Sequence, residues 1–379
     1  MKILYYTWGE NSIKDCTECM RALGWEVDIF SEKMSNYTND DKFCSKLREK
    51  IKGGYDCVFS FDYFPLISET AMDTGIPYIS WVYDSPHYTL ESLTLANDCN
   101  HVFLFDYGLV ERYRSEGFST VDYMPMACNI RRLEKMCAPH FNNPKHDITF
   151  LGSLYNDEYN FYDQIQYLPD YLKGFLDAII ASQPQIYGID LSGQLMDDAI
   201  CAEMAKYVQA DLGEGFRSAR NEILRNMIRK KITSNERRNL LSLLGDHFNV
   251  DLYAPAKPPT DIRVNFKGYA NYRDQMPVIF ASSKINLNIT LRSILTGIPL
   301  RVVDILGAGG FVLSNYQAEL AEYFTYGESI VWFESPEDLV DKCAYYLDHD
   351  DERKKIAALG HEIAAKELAY EVLLPKVFA

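Results

Sequence analysis

Asn286-Leu-Asn-Ile-Thr-Leu-Arg-Ser-Ile-Leu-Thr-Gly-Ile-Pro-Leu-Arg-Val-Val-Asp-Ile-Leu-Gly-Ala-Gly-Gly-Phe-Val-Leu-Ser-Asn315 is the stretch that decides the fold. It reads as an apolar strand, a loop with Gly297 and Pro299, a short helix, a glycine-rich stop at 307–310 and a second apolar strand. A strand that passes through a helix to another buried strand is the repeating unit of a parallel sheet covered on both faces. A Gly-bearing loop entering a helix at the carboxyl end of such a strand is also a place to hold phosphate. Backbone N–H groups and the helix dipole point there. Arg292 and Arg301 bracket the loop and could neutralise a diphosphate. Asp304 is expected in the first turn of the helix, where its carboxylate can accept hydrogen bonds from two vicinal hydroxyls, as on a ribose. The same residues also admit plainer roles, Asp304 complementing the dipole and the arginines standing in solvent.

The rhythm extends in both directions. Residues 1–125 repeat a β-rich run, a polar loop, a helical stretch and a glycine. Strands are expected at Lys2–Tyr6, Glu26–Phe30, Cys57–Phe61, Tyr78–Val82 and His101–Phe105, with a weaker one at Thr120–Tyr123. Helices are expected near Asp15–Leu23, Asp41–Lys52, Leu66–Thr74 and Tyr107–Glu116. Gly24, Gly75 and Gly117 stand where a helix stop needs positive φ. Met124–His146, with Pro125, Pro139 and Pro144, reads as a linker, and a new strand follows at Asp147–Leu151, closing on Gly152-Ser153. Later strands at Val250–Tyr253, Arg263–Phe266, Ile285–Ile289, Gly310–Leu313 and Ser329–Phe333 alternate with helices. Those helices are Gln275–Ser282, Arg301–Leu306, Gln317–Phe324, Pro336–Leu347 and Asp351–Glu367. Residues 155–248 are mostly helical, with long stretches at Met196–Asp211 and Arg217–Leu244. They fit a packed insertion, or an acceptor or dimer surface. The division is therefore an α/β domain over 1–140 and a second over 141–379 that carries the insertion.

Composition narrows the function. The chain has 379 residues, 47% of them hydrophobic and 24% charged, with Lys+Arg 38 against Asp+Glu 54 and a formal net charge of −16. That balance argues against non-specific nucleic-acid binding, which needs a basic surface. No stretch reaches the ~20 apolar residues of a transmembrane helix. Met1-Lys-Ile-Leu-Tyr-Tyr-Thr-Trp-Gly reads as a first strand rather than an export signal, and nine scattered cysteines suit reduced thiols. A cytoplasmic location is expected.

Several chemistries are missing. Gly307-Ala-Gly-Gly-Phe has the wrong register for the dinucleotide fingerprint and lacks the Lys-Ser/Thr of a P-loop. No Gly-x-Ser-x-Gly elbow and no His-x-x-x-His pair occur. Cys16-x-x-Cys19 has no second half and reads as core. Asp348-His-Asp350 ends a helix instead of following an apolar strand, so no metal site is expected.

From Pro299 the sequence runs Leu-Arg-Val-Val-Asp-Ile-Leu-Gly-Ala-Gly-Gly-Phe-Val-Leu-Ser-Asn-Tyr, followed by Glu319-Leu near Tyr323-Phe and by Gly327-Glu-Ser-Ile-Val. With Ser335-Pro-Glu-Asp-Leu, Tyr345-Tyr-Leu, Glu352-Arg and Ile356-Ala, this resembles the C-terminal domain of the CgeB-like (spore-maturation-type) glycosyltransferases. Tyr55-Asp-Cys-Val-Phe-Ser-Phe-Asp-Tyr-Phe-Pro and Ile79-Ser-Trp-Val-Tyr-Asp-Ser-Pro-His look like the uncharacterised domain that commonly precedes it. The resemblance implies a GT-B fold, with two facing Rossmann-like domains and the site in the cleft. The second domain would bind a nucleotide sugar, a UDP-sugar first, and the first would face an acceptor, protein or glycan. The last helix, Asp351–Glu367, would cross back to the first domain. Retaining members of the wider group carry Glu-x7-Glu. Asp304 matches the second acid, one methylene shorter, whereas the first falls at Thr296, which is not a carboxylate.

Related enzymes use a His at the end of a first-domain strand to reach the donor sugar. The comparable strand here ends in Tyr83-Asp84-Ser85-Pro86-His87, so Asp84 and His87 are candidates beside the reacting carbon, with Arg292 as the cation on the leaving group. A turn at the carboxyl end of a parallel strand is where α/β sheets bind ligands. The alternative is an Asp that caps the next helix beside an exposed His. The loop Trp8-Gly9-Glu10-Asn11-Ser12 fits either an acceptor contact, through Trp8 and Gly9, or a structural turn. Ser153, Lys267, Thr296, Gly297, Ile298, Pro299, Arg301 and Asp304 complete the expected substrate contacts. Neither a metal nor a separate cofactor is expected, since loop amides, the helix end and a guanidinium would stabilise the departing diphosphate. A non-catalytic sugar- or nucleotide-binding protein of the same fold is the alternative, and an epimerase or phosphorylase a third.

Overall fold

The computed structural model describes residues 1–141, 143–156 and 160–379. Position 142 of the expected linker and positions 157–159 of the expected insertion lie outside the described residues. The chain forms two compact units. The first contains Met1–Asn129, Asp211–Ala219 and Glu367–Ala379, and the second Ile130–Ala210 and Arg220–Lys366. The division thus falls at Asn129/Ile130 instead of 140/141.

The first unit alternates β1 (Lys2–Tyr6), α1 (Ile13–Ala22), β2 (Glu26–Phe30), α2 (Asp41–Ile51), β3 (Cys57–Phe61), α3 (Pro65–Thr74), β4 (Tyr78–Val82), β5 (Asn100–Leu104), α4 (Tyr107–Ser115) and β6 (Val121–Tyr123). All six strands are parallel, in the order β2-β1-β3-β4-β5-β6. Strands β3 and β4 are buried at every position, which explains their unbroken apolar runs. Alternation sorts their side chains. Tyr5, Phe59, Phe61 and Trp81 pack in one cluster with Cys16 and Met20 of α1. Leu4, Tyr6, Val58 and Tyr78 pack in another with Phe43 of α2 and Leu66 of α3. Gly24, Gly75 and Gly117 take positive φ, as their places at helix ends require.

In the second unit the segment expected as a linker holds a helix, α5 (Ile130–Cys137), before β7 (His146–Leu151). Ile130, Leu133 and Cys137 bury one face of it, so its apolar spacing outweighs the flanking prolines. Helices α6 (Asp170–Ser182), α7 (Leu191–Leu195), α8 (Asp198–Met204) and α9 (Arg220–His247) follow. The long helix expected over Met196–Asp211 is therefore short pieces. Gly213 and Gly215 adopt positive φ just beyond, and Asp211–Ala219 joins the first unit, where Leu93 N–H donates to Gly215 C=O (3.0 Å) and Arg217 N–H to Glu91 C=O (2.9 Å).

The second sheet is completed by β8 (Val250–Tyr253), β9 (Asn265–Gly268), α10 (Met276–Ala281), β10 (Ser283–Asn288), α11 (Leu300–Gly307), β11 (Val312–Asn315), α12 (Leu320–Tyr323), β12 (Val331–Phe333), α13 (Pro336–Asp348) and α14 (Asp350–Glu367). Its parallel order is β12-β11-β10-β7-β8-β9. Ser335 caps α13 by accepting from Asp338 N–H (3.0 Å), with Pro336 in the first turn. Gly309 takes φ +73°, and a Cβ on Gly310 would stand 2.7 Å from Asn286 Nδ2 and 2.9 Å from Phe280 O. These glycines let α11 turn tightly back into β11 and serve packing. The helix expected to return to the first unit is α15 (Tyr370–Val377), a separate element, instead of Asp351–Glu367. The break comes at Ala369, where Cys128 pairs with Leu368 and Tyr370 through backbone bonds of 3.0 and 3.1 Å.

Candidate active site

Each sheet has one point where its strand order reverses, and there the loops leave in opposite directions and open a crevice at the carboxyl ends of the strands. In the second unit that point lies between β7 and β10. It is occupied by Arg237 of α9, which is 8% exposed. Its guanidinium donates to the Ser153 carbonyl just past β7 (2.6 Å) and twice to the Ile289 carbonyl just past β10 (3.1 and 2.5 Å). The rings of Phe150 and Tyr155 lie 5.4 and 4.9 Å from its carbon centre. Among the described residues Arg237 forms no ion pair. Burial pushes its pKa down, and the nearby charge of Arg301 acts in the same direction. An arginine has five N–H donors; here three bonds serve the two carbonyls and a further one goes to Tyr155.

Arg301 stands in the first turn of α11 and also forms no ion pair among the described residues. It rests on Met276 Sδ (3.1 Å) and over the Phe280 ring (5.3 Å). Three residues on, hence on the same helix face, Asp304 is 7% exposed and accepts from the Tyr272 hydroxyl at 2.9 Å. Asp304 is the fifth residue of α11, so the expected first-turn position is corrected to the second turn. A carboxylate there is too far from the amino end to complement the dipole well. Helix α11 begins at Pro299 with no side-chain cap, which leaves its amino end suited to an anion.

The remaining candidates of this unit are more varied. Arg292, expected on the leaving group, is bound elsewhere. Its guanidinium forms a fork with Glu236 (2.9 and 2.7 Å), lies over Tyr187 (4.6 Å), and its N–H groups reach the Ile186 carbonyl (3.3 Å). Glu236 is 2% exposed and also accepts from the Tyr187 hydroxyl (2.9 Å). A buried carboxylate of this kind needs a cation, and Arg292 supplies it. Beside this pair the cavity holds about 20 Å³, room for a water and not for a pyrophosphate. The loop amides of Thr290 and Arg292 donate to Asn315 Oδ1 (2.7 Å) and Thr233 Oγ1 (2.9 Å). These two amides are therefore engaged within the protein.

Thr296 donates to Glu319 (2.8 Å), a carboxylate 2% exposed. An acid therefore touches the position where the motif lacks one. Gly297 C=O accepts from Gln317 (3.4 Å), and Ile298 is buried beneath the loop. Lys267 is corrected as well. It pairs with Asp251 (3.3 Å), which also meets His146, the first residue of β7 (2.5 Å). That cluster belongs to the amino end of the sheet.

The reversal point of the first unit lies between β1 and β3. A pocket of about 1050 Å³ opens there, lined among others by Trp8, Gly9, Asp62, Asp84 and His87. The structure thus brings four of the expected residues together. Glu10, 7% exposed, organises the first loop by accepting from Tyr5 (2.5 Å), Thr7 (2.9 Å) and Trp8 N–H (3.2 Å). Gly9 takes φ +99°. These bonds brace the turn, and Trp8 is left 48% exposed.

Asp62 directly follows β3 with φ +60°, a conformation that Asp tolerates better than most residues. Its Oδ1 accepts from the N–H groups of Tyr83 (3.0 Å) and Asp84 (3.1 Å). His87 Nε2 accepts from Tyr63 N–H (3.1 Å) and shares a 2.6 Å bond with the Thr89 hydroxyl. Burial and the Asp62 charge push the Asp84 carboxyl up to about 6, against an opposing pull from His87. One atom from each of Asp62, Asp84 and His87 lies within 4.8 Å of the others, a spacing a cation could bridge. Cys16 and Cys19 are core, and burial pushes both thiols up.

Sequence reasoning missed Arg237, Glu236 and Glu319. For the first two a signal existed. Arg229, Thr233, Glu236, Arg237, Leu240 and Leu244 share the buried stripe of α9, and charges on an inner stripe require partners.

Residues 225–374 match the family model described as glycosyl transferase-like. No curated sequence matches the chain. The sucrose-phosphate synthase of Thermosynechococcus elongatus is similar in structure, with a TM-score of 0.53 and 11% identity over 100% of this chain and 97% of that one. The Anabaena protein HepE in complex with UDP-glucose gives a TM-score of 0.53 at 10% identity, covering 100% and 98%. HepE in complex with UDP and glucose gives 0.50 at 10%, covering 100% and 98%. Among the described residues no helix is long and apolar enough to cross a membrane. Two six-stranded parallel sheets with flanking helices give this chain the GT-B glycosyltransferase fold, and residues 225–374 are glycosyl transferase-like in sequence.

Proposed function

We propose that the protein is a glycosyltransferase of the CgeB-like kind, moving a hexose from a UDP-sugar to an acceptor hydroxyl. The observation that carries this is the pair Arg237 and Arg301. They are two guanidiniums with no ion-pair partner among the described residues, Arg237 at the strand-order reversal of the second unit and Arg301 one helical turn from Asp304. Unpaired cations at such a crevice suit a diphosphate, and a buried carboxylate beside a tyrosine suits a ribose. HepE, similar in fold, is described with UDP and UDP-glucose.

In this reading the acceptor oxygen bonds to the anomeric carbon. The bond from that carbon to the phosphate oxygen breaks, and its electron pair leaves with UDP. Same-face attack, the departing phosphate taking the hydroxyl proton, makes the reaction retaining. Arg237, Arg301 and the open end of α11 hold the charge that grows on the leaving group, with no metal in the step. Glu319, oriented by Thr296, takes the place of the missing first acid. The enzyme acts in the cytoplasm.

A non-catalytic nucleotide-binding role draws on Thr296, where the retaining pattern has an acid. Incubating the purified chain with UDP-glucose, UDP-galactose and UDP-N-acetylglucosamine and following UDP release separates the two. Slow hydrolysis or transfer is expected, abolished in Arg301→Ala. Tight UDP binding with no turnover of any donor selects the binding protein.

A further inference from the structure

We propose that Asp62, Asp84 and His87 form a binding site for one divalent transition-metal ion on the wall of the first unit's pocket. This site is independent of the glycosyltransferase reading. One atom from each of the three side chains lies within 4.8 Å of the others. Ligand atoms about one ion at ~2.1 Å stand at most ~4.2 Å apart, so a small closure brings them together. Asp84 can make it, because its carboxylate is exposed and accepts no hydrogen bond among the described residues.

Asp62 supplies the fixed ligand. It lines the pocket although it is only 2% exposed. Its carbonyl accepts from the hydroxyls of Ser60 (2.7 Å) and Ser80 (3.0 Å), which holds the backbone just past β3. Of its carboxylate oxygens, Oδ1 takes the N–H groups of Tyr83 and Asp84, while Oδ2 accepts no hydrogen bond among the described residues. Neither acid has an ion pair among those residues. A buried carboxylate oxygen without a donor, with a second carboxylate against it, leaves charge that a cation or a proton must balance. Glu32 and Lys33 line the same pocket, but Glu32 is paired with Lys46 (2.5 Å), and Lys33 pairs with neither acid.

His87 adds the nitrogen that sets the class of ion. Its Nε2 lies 2.6 Å from the Thr89 hydroxyl, which itself donates to the Tyr63 carbonyl (2.6 Å). With a metal on Nδ1 the ring proton sits on Nε2 and is donated to Thr89, and the bond from Tyr63 N–H is given up. An outer bond of this kind orients a metal-ligating imidazole. Two carboxylates and one imidazole, with the remaining positions open to water, suit Mn²⁺ or Zn²⁺ better than the oxygen-seeking Mg²⁺ and Ca²⁺.

The test uses the full chain, stripped of metal by a chelator, with MnCl₂ and ZnCl₂ as probes and MgCl₂ and CaCl₂ beside them. Calorimetry reads affinity and the number of sites, and electron spin echo reads whether an imidazole nitrogen touches Mn²⁺. One equivalent of Mn²⁺ or Zn²⁺ is expected, bound at least about tenfold more tightly than Mg²⁺ or Ca²⁺. The nitrogen modulation should vanish in His87→Gln. Asp84→Asn should weaken the ion at least about tenfold, and so should Asp62→Asn, in which Oδ1 still accepts the two N–H groups. Melting curves in chelator show whether each variant folds; if Asp62→Asn does not, the exposed Asp84 carries the test. No stoichiometric binding of either ion, Mn²⁺ bound without nitrogen modulation, or an affinity indifferent to Asp84→Asn overturns the proposal.

Discussion

The two units repeat one architecture and fill the same topological position with opposite charge. At the β1/β3 reversal stand Asp62 and Asp84. At the β7/β10 reversal stands Arg237, with Arg301 near enough to affect its pKa. A parallel sheet supplies a crevice at its reversal point whatever the sequence; the side chains there decide which ligand it suits. A net charge of −16 describes the whole chain and hides a local cationic site.

A second contrast lies within the basic crevice itself. Arg292 is neutralised by Glu236, whereas Arg237 and Arg301 have no carboxylate of their own among the described residues. The largest expected effect tests that difference. Glu236→Ala leaves Arg292 buried and unpaired, and should cost about 3–5 kcal/mol in urea denaturation, because one partner of a buried pair remains. Replacing both as Glu236→Leu with Arg292→Met should recover most of it. A loss below about 1 kcal/mol in the single variant would put Arg292 back in play as a ligand cation.

Next in size is Arg301→Ala. Removing charge-assisted bonds to a diphosphate should weaken UDP by about a hundredfold, roughly 2.7 kcal/mol, while a half-exposed residue without an ion pair changes stability by less than about 0.5 kcal/mol. Asp304→Asn keeps the shape and loses the charge, and should weaken UDP about tenfold. Calorimetry checks both. Equal UDP affinity in either variant moves that residue out of the site.

The smallest effect concerns the acidic crevice. Asp84 has a folded-state pKa of about 6, above the ~3.9 of an unfolded Asp. The folded chain therefore holds the proton more tightly between about pH 4 and 6, and stability falls as pH rises through that window. Asp84→Asn should be more stable than the parent by on the order of 1–2 kcal/mol at pH 7 and equal to it near pH 4. Melting curves at both values decide. A difference that does not change with pH would mean that Asp84 titrates like a solvated acid.

Much of the fold was legible because hydrophobic period and helix stops are local. Lys2–Tyr6, Glu26–Phe30, Cys57–Phe61, Tyr78–Val82 and Val250–Tyr253 stand where the sequence puts them. What was misjudged depended on distant partners. Helix α5 is stabilised by burial that the prolines around it obscured, and α15 separates from α14 because Ala369 pairs with Cys128. Around the pocket of the first unit, Asp84, His87, Trp8 and Gly9 come together, since each follows a strand end. For Arg292, nothing near it in sequence reveals that Glu236 is buried opposite. The buried stripe of α9 signals that Arg237 needs partners but not which, because the two carbonyls, Ser153 and Ile289, lie far from it along the chain.

The central claim is that the second unit grips a diphosphate through Arg237 and Arg301, and calorimetric titration of the purified chain with UDP, UMP and uridine tests it most directly. Affinity should fall steeply along that series, by about tenfold or more for each phosphate removed, since each one lost frees a guanidinium contact. Equal affinities for UDP and uridine, or no UDP binding at all, would contradict it.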